Sequence, residues 1–188
     1  RAEVNSILRR YKVLIKEGKK TDDEMRREIS KVYKLSREKI APFRDAVSAD
    51  RDLLNRSMIF GLTREFCEEV QRIVLHPMNV KFHTFFAEDD KRDLVRFATG
   101  QLNCLITCQR LSEGIDVKDC SSIVLLYSDS AKLQTIQRIG RALRTDPSNP
   151  KKMATVVDLI GNGVPADSDR ESWLTELSTI RPEGWNEI

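Results

Sequence analysis

From Ser57 onward the chain alternates short, uninterrupted apolar runs with stretches of helical periodicity, a pattern that few folds accept. Met58-Ile59-Phe60, residues 80–85, Cys104-Leu105-Ile106-Thr107 and Ile123-Val124-Leu125-Leu126-Tyr127 read as strands. Thr155-Val156-Val157-Asp158-Leu159-Ile160 is the last, closed by Gly161-Asn162-Gly163. Between them, Thr63 caps a helix whose Phe66, Cys67, Val70, Ile73 and Val74 share one face. A helix near residues 90–98 turns Leu94, Phe97 and Ala98 inward, and another runs from about 131 to 143. Strands that are apolar on both faces belong to an α/β fold with a parallel sheet covered by helices on both sides. Right-handed crossovers then put every loop that follows a strand along one edge, the carboxyl edge, where such sheets bind ligands.

The first 54 residues have a different texture. Tyr11-Lys12-Val13-Leu14-Ile15-Lys16 has strand character, and Gly18-Lys19-Lys20-Thr21 breaks it. Thr21 and Glu24 have the spacing of a capping box, which predicts a helix continuing to about residue 40. Ala41-Pro42 interrupts that pattern, and a second helical stretch covers residues 43–54. The expected organisation is therefore a basic, mainly helical lead-in or linker over 1–54, an α/β domain over 55–163, and a short helix and tail over 164–188. A chain of 188 residues suits one such domain with an appendage. No repeat or low-complexity segment is seen. With no initiator methionine, the chain reads as a piece of a longer protein.

Composition excludes some function classes. No apolar run nears the roughly 18 residues a membrane span needs, and no signal-peptide pattern leads the chain, so no membrane partner is expected. The four cysteines form no C-x-x-C pair, and the two histidines lie far from metal-ligand spacing. Buried free thiols in a reducing intracellular compartment, cytoplasmic or nuclear, are expected, with no metal site of the chain's own. The net charge of +3 is unevenly spread: residues 1–44 hold 14 Lys and Arg against 7 Asp and Glu. That excess is compatible with a phosphate backbone as partner, and equally with a solvated helix of mixed charge.

The residues best suited to chemistry lie on the helix expected at 131–143 and just after it. Gln134, Gln137, Arg141 and Arg144 fall along one helical stripe, while Leu133, Ile136, Ile139 and Leu143 occupy the other side. Two arginines a turn apart can present two guanidinium forks to a phosphate. A merely solvated face explains neither the glutamines nor Gly140, which costs a helix interior about 1 kcal/mol. A second candidate, Leu111-Ser112-Glu113-Gly114-Ile115-Asp116-Val117, follows the strand ending at Thr107. Gly114 there permits close backbone approach, and Asp116 can accept from ribose hydroxyls or hold an arginine; a plain capped turn is the simpler alternative. The third is the strand-to-helix turn Phe60-Gly61-Leu62-Thr63-Arg64, either a phosphate cradle or simply an N-cap.

In order and separation these three segments resemble motifs IV, V and VI of superfamily 2 helicases and translocases. Phe60-Gly61-Leu62-Thr63 is similar to motif IV. Phe97 and Gly100, then Leu105-Ile106-Thr107, are similar to the approach to motif V, and Ser112-Glu113-Gly114-Ile115-Asp116 to motif V itself. Gln137-Arg138-Ile139-Gly140-Arg141-Ala142-Leu143-Arg144 matches motif VI, Q-R-x-G-R-x-x-R, at each defined position. The resemblance covers about residues 53–160 and implies a second RecA-like domain. It further implies that Arg141 and Arg144 reach the γ-phosphate of ATP across a cleft, Arg144 as arginine finger, with Gln137 coupling nucleotide state to closure. Gly114 and Asp116 would lie at the nucleotide, and Thr63 and Thr107, with Arg64 beside Thr63, at the nucleic-acid backbone.

The resemblance implies as much by what is missing. Such motors hold ATP and Mg mainly on an N-terminal RecA-like domain with a P-loop and an acidic motif. Gly18-Lys19-Lys20-Thr21 is no P-loop, because Val13 stands where the earlier glycine belongs and Lys20 where Ser or Thr does. Glu88-Asp89-Asp90 reads as the acidic first turn of a helix. The chain is thus expected to be inactive alone, as half of an ATPase site. Gln137 in place of the usual DEAD-box histidine, Ala142-Leu143, and Glu113 in place of an arginine look more like DNA translocases related to restriction-enzyme motor subunits and excision-repair helicases. The expected partners are therefore an N-terminal RecA-like domain and nucleic acid, with DNA favoured. An RNA helicase domain and a RecA-like interaction module without chemistry are the rivals.

Overall fold

The computed structural model describes residues 2–34, 36–86, 88–90, 92–108, 120–127, 155–161 and 164–179. The chain divides into two compact units, Arg1–Ser36 and Arg37–Ile188.

The first unit is a pair of packed helices, α1 (Ala2–Lys16) and α2 (Asp22–Lys34). Residues 11–16, expected as a strand, lie in α1. Val4, Ile7 and Tyr11, at helical spacing, are its buried face, while Val13 is 56% exposed. A strand there would leave backbone donors and acceptors unpaired. The helix pairs them internally and buries one stripe against α2, so packing overrides the β preference of Val13 and Ile15. Gly18 ends α1 with a left-handed φ of 68°, and Lys19 N–H reaches back to the Leu14 carbonyl at 2.9 Å. The capping box forms as the sequence predicts. Glu24 accepts from Thr21 N–H at 2.9 Å, and the Thr21 hydroxyl accepts from Glu24 N–H at 3.3 Å.

The second unit opens with a 3-10 turn, Arg37–Lys39, and α3, Ile40–Ala49. Ala41-Pro42 begins a helix here rather than interrupting one. Pro42 sits in the first turn, where its missing N–H has no intrahelical partner to lose. Five parallel strands follow: β1 (Ser57–Gly61), β2 (Phe82–Thr84), β3 (Cys104–Cys108), β4 (Ser122–Leu125) and β5 (Thr155–Asp158). Their order is β2-β3-β1-β4-β5. The described connections include α4 (Arg64–Val70), which continues into a π-helical turn over Gln71–Leu75, and α5 (Arg92–Ala98); α6 (Pro165–Thr179) follows β5. The helix expected at residues 131–143 lies outside the described residues.

Each central strand supplies both faces of the sheet. Ile59, Ile106 and Val124 stand in register and pack with α3, α4 and the π turn, through Phe43, Val47, Phe66, Val70 and Val74. Met58, Leu105 and Ile123 stand in register on the opposite face, with Phe97 of α5 and Trp173 of α6. This is the two-sided parallel sheet anticipated from the uninterrupted apolar runs. Burying a side chain of this size contributes about 1.5–3 kcal/mol, so the two layers together are the main source of the unit's cohesion.

Candidate nucleotide and nucleic-acid edge

Because all five strands are parallel, their carboxyl ends share one edge. β1 reaches it at Gly61, and there α4 begins almost at once. A Cβ on Gly61 would stand 2.5 Å from Cys67 Sγ and 3.1 Å from Phe66 Cδ1, so the close seating of α4 on β1 needs a glycine. Thr63 caps the helix, its side chain accepting from Phe66 N–H at 3.2 Å. Glu65 adds its carboxylate to the same turn. Its own backbone N–H, and then the Thr63 hydroxyl, hold that carboxyl below the usual range. The N-cap read from Phe60-Gly61-Leu62-Thr63-Arg64 is formed.

Thr107 ties the ends of β2 and β3 to α4. It is fully buried, its hydroxyl donates to the Phe85 carbonyl at 2.6 Å, and its own carbonyl accepts from the Cys67 thiol at 3.3 Å. Phe85 N–H in turn donates to the Ile106 carbonyl at 2.9 Å. Arg64 lies above this layer, exposed, with its guanidinium carbon 4.5 Å from the centre of the Phe86 ring and an ion pair to Glu88. Thr63 and Arg64 therefore present polar groups at the edge, while Thr107 supports the edge from beneath. Asp89 accepts from Phe86 N–H at 2.7 Å and Asp90 from Arg92 N–H at 2.8 Å, so Glu88-Asp89-Asp90 lies ahead of α5 rather than in its first turn, where the acidic residue is Asp93.

Gly114 and Asp116 lie outside the described residues, and so do Gln137, Arg141 and Arg144. The strands they follow are described. Residues 109–119 continue from β3 and residues 128–154 connect β4 to β5; β3 and β4 are the two neighbours of β1. All three motif-bearing segments therefore follow from the carboxyl ends of three adjacent strands at the centre of the sheet.

Sequence reasoning missed a cluster of four charges at the β4–β5 side of this edge. Arg170 of α6 makes a bidentate pair with Asp158, Nε at 2.7 Å and Nη2 at 2.6 Å from its two oxygens. Arg170 also lies 3.1 Å from Asp167, which pairs with Lys39 at 2.7 Å and accepts from Gly161 N–H at 2.8 Å. Tyr127, two residues past the end of β4, has its ring centre 5.9 Å from the Arg170 guanidinium carbon. Side-chain exposure is 0% for Arg170 and Asp167, 7% for Lys39 and 9% for Asp158. Burial pushes the Lys39 ammonium down, with Asp167 opposing. Burial would lower Arg170 too, but its hydrogen bond and charge pairing with Asp158, and the Asp167 charge, outweigh that and hold it above its usual value. The one signal in the sequence is an aspartate ending the otherwise apolar run of β5.

Two of the thiols are held protonated by their surroundings. Desolvation first, then the neighbouring Cys108, pushes Cys67 up to about 12, and desolvation pushes Cys104 up to about 12. Among the described residues no group of three or more His, Cys, Asp or Glu is placed to hold a metal ion. No described helix is long and apolar enough to cross a membrane.

With the fold and edge in view, comparison with known proteins is specific about the family. Residues 38–146 match the helicase conserved C-terminal domain, so the chain belongs to that family. Over 134 residues it is 26% identical to the ATP-dependent DNA helicase MPH1 of Coccidioides immitis, covering 64% of this chain and 12% of that protein. Over 53 residues it is 38% identical to Dicer-like protein 1 of Aspergillus terreus, covering 28% of this chain and 4% of that protein. The chain thus spans only a small fraction of these relatives. Its fold is similar to the C-terminal domain of the DEAD-box protein Dbp5, with TM-score 0.58, 18% identity, and coverage of 79% of this chain and 82% of that one. It is also similar to the helicase domain of Pyrococcus furiosus Hef, with TM-score 0.52, 20% identity, and coverage of 94% and 38%.

Proposed function

We propose that the chain is the second RecA-like motor domain of an ATP-dependent DNA helicase or translocase, acting inside the cell in a reducing compartment. What most supports this reading is the convergence of three motif-bearing segments on adjacent strand ends, β3-β1-β4, at one edge of the sheet. In this reading Arg141 and Arg144 face the γ-phosphate of ATP, which an N-terminal RecA-like domain holds together with Mg. Their guanidinium groups stabilise the charge that develops as the phosphoryl group transfers, an effect of ~10³–10⁵ in rate for an arginine finger. Gln137 couples nucleotide state to domain closure. Gly114 lets the backbone approach the nucleotide, and Asp116 takes the ribose or an arginine across the cleft. Thr63 and Arg64 meet the nucleic-acid backbone, in contacts that are independent of sequence and weakened by salt. Thr107 belongs to the same contact region through the strand ends it holds.

DNA is favoured over RNA by Gln137, Ala142-Leu143 and Glu113 in motifs VI and V, and MPH1, a DNA helicase by name, is similar over much of the chain. Two measurements on the full-length parent protein test the reading. Arg144→Ala is expected to reduce nucleic-acid-stimulated ATP turnover at least roughly 10²-fold with the fold intact. Unchanged turnover would favour an interaction module that has lost its chemistry. Duplex DNA is expected to stimulate ATP hydrolysis most; stimulation by RNA alone would make this an RNA helicase.

A further inference from the structure

A buried cluster of charges joins α6 to the end of β5. Burying an ion costs more than a well-packed apolar side chain of the same volume, and clusters of this kind are often replaced by hydrophobic residues without loss of stability. Here four ionic side chains are at most 9% exposed, and Nη1 of Arg170 has no hydrogen-bond partner among the described residues. Such an arrangement is poor adhesive. What it supplies is direction: the planar fork of an arginine accepts only one alignment against a carboxylate, which a lysine cannot reproduce.

The groups so aligned lie at the ends of β4 and β5, the two strands that the stretch with Arg141 and Arg144 joins in sequence. Residues 128–154 connect β4 to β5. Tyr127 is the last residue before them, and its ring faces the Arg170 guanidinium. Leu125 of β4 is paired with Asp158 of β5, and Asp158 accepts both bonds of the fork. Leu159 N–H then donates to the Leu125 carbonyl at 3.3 Å, carrying the alignment back to β4. The guanidinium of Arg170 thus spans the carboxyl ends of both strands. Asp167 and Lys39 fix α6 from behind, against the turn before α3.

We propose that Arg170, through its fork on Asp158 and its seat against Tyr127, is a positioning residue for Arg141 and Arg144. This rests on the reading of those two arginines given above. It extends the working part of the domain to α6, beyond the residues 38–146 that match the family. An error of about 1 Å in the position of a catalytic group can cost ~10² in rate, so loosening the strand ends that Arg170 spans weakens transition-state stabilisation while ground-state binding persists.

The experiment uses the full-length parent protein, assayed well below each variant's melting temperature. Arg170→Gln is expected to lower kcat for nucleic-acid-stimulated ATP hydrolysis by roughly 10-fold or more, with KM for ATP and nucleic-acid affinity changed less than about threefold. Arg170→Lys, which keeps the charge and loses the fork, is expected to lose at least about fivefold. A purely structural role would lower the melting temperature and leave kcat alone, and kcat within about twofold of the parent in Arg170→Gln would overturn the proposal. Should Arg170→Gln fail to fold, Arg170→Lys decides by the same measure. Arg144→Ala in the same assay separates the two levels. If it is impaired while the Arg170 variants are not, the positioning role alone is wrong. If it turns over normally, the arginine reading falls and the positioning role with it.

Discussion

At the scale of single residues, the edge is built on the absence of one side chain. Gly61 lets the thiol of Cys67 lie against the end of β1, where it bonds the Thr107 carbonyl and shares in holding β3. Gly61→Ala sets a methyl group 2.5 Å from that sulfur, a distance that forces α4 outward. The expected loss is about 1–3 kcal/mol, the usual cost of overpacking a well-filled core, read as a lower melting temperature. Adding Cys67→Ala removes the obstructing sulfur, so the double variant should recover at least half of the loss. No recovery would mean that the 3.1 Å approach to Phe66 Cδ1, rather than the thiol, sets the spacing. The glycine was visible in the sequence as part of a strand-to-helix turn. Its partner was not, because Cys67 at helical spacing looks like any core residue. The same limit hid Arg170: an Asp and an Arg twelve positions apart carry no periodic signature, and only the fold shows them as a fork.

At the scale of elements, the α1–α2 pair is held by side chains that titrate at both ends of the pH range. The Glu28 carboxyl is lowered from 4.5 first by the Tyr11 hydroxyl and then by Arg10; Glu24 is lowered first by Lys20 and then by Thr21 N–H. Tyr11 is raised from 10.0, chiefly by its bond to Glu28. A depressed carboxyl stabilises the folded form above its unfolded value, and that contribution is lost as pH falls through the folded one. A raised tyrosine stabilises below its unfolded value and loses its share as pH rises past the folded one. The pair should therefore be best protected between about pH 4.5 and pH 10. Hydrogen exchange of the intact protein, corrected for intrinsic rates, should show α2 amides losing protection toward about pH 3. Protection that stays constant down to that pH would remove these contacts from the account.

Elements were legible where local pattern and tertiary setting agree. β1, β3 and β4 are continuous apolar runs because both faces are covered, and the capping box at Thr21 and Glu24 works within four residues. Residues 11–16 misled because Tyr11, Val13 and Ile15, all β-favouring and in alternation, outweigh, locally, a stripe that only α2 completes. Pro42 misled for a related reason: in a helix's first turn a proline is harmless, and whether it stands first or in the middle depends on where the previous helix has ended.

For the whole molecule, the packed unit extends past the stretch that identifies its family. Lys39 near one end of the second unit pairs with Asp167 near the other, and Trp173 closes the core layer on the Met58 face. A fragment covering residues 37–146 would lack β5 and α6, leaving β4 as a bare edge and the Lys39 ammonium without its carboxylate. Removing one member of a buried pair costs about 3–5 kcal/mol, a large part of what a domain has to lose. That fragment is expected to show no cooperative thermal transition, whereas residues 37–179 should melt as one. A cooperative transition in the shorter fragment would show that α6 is an accessory.

The pairing of Lys39 with Asp167 also limits how this domain can be recombined with its relatives. A swap of the family-matched segment alone would bring in a foreign residue at position 39 and keep the native Asp167, or do the reverse. Chimeras that move both together preserve the charge balance; those that split them inherit an orphaned ion at the heart of the graft, however well their motifs align.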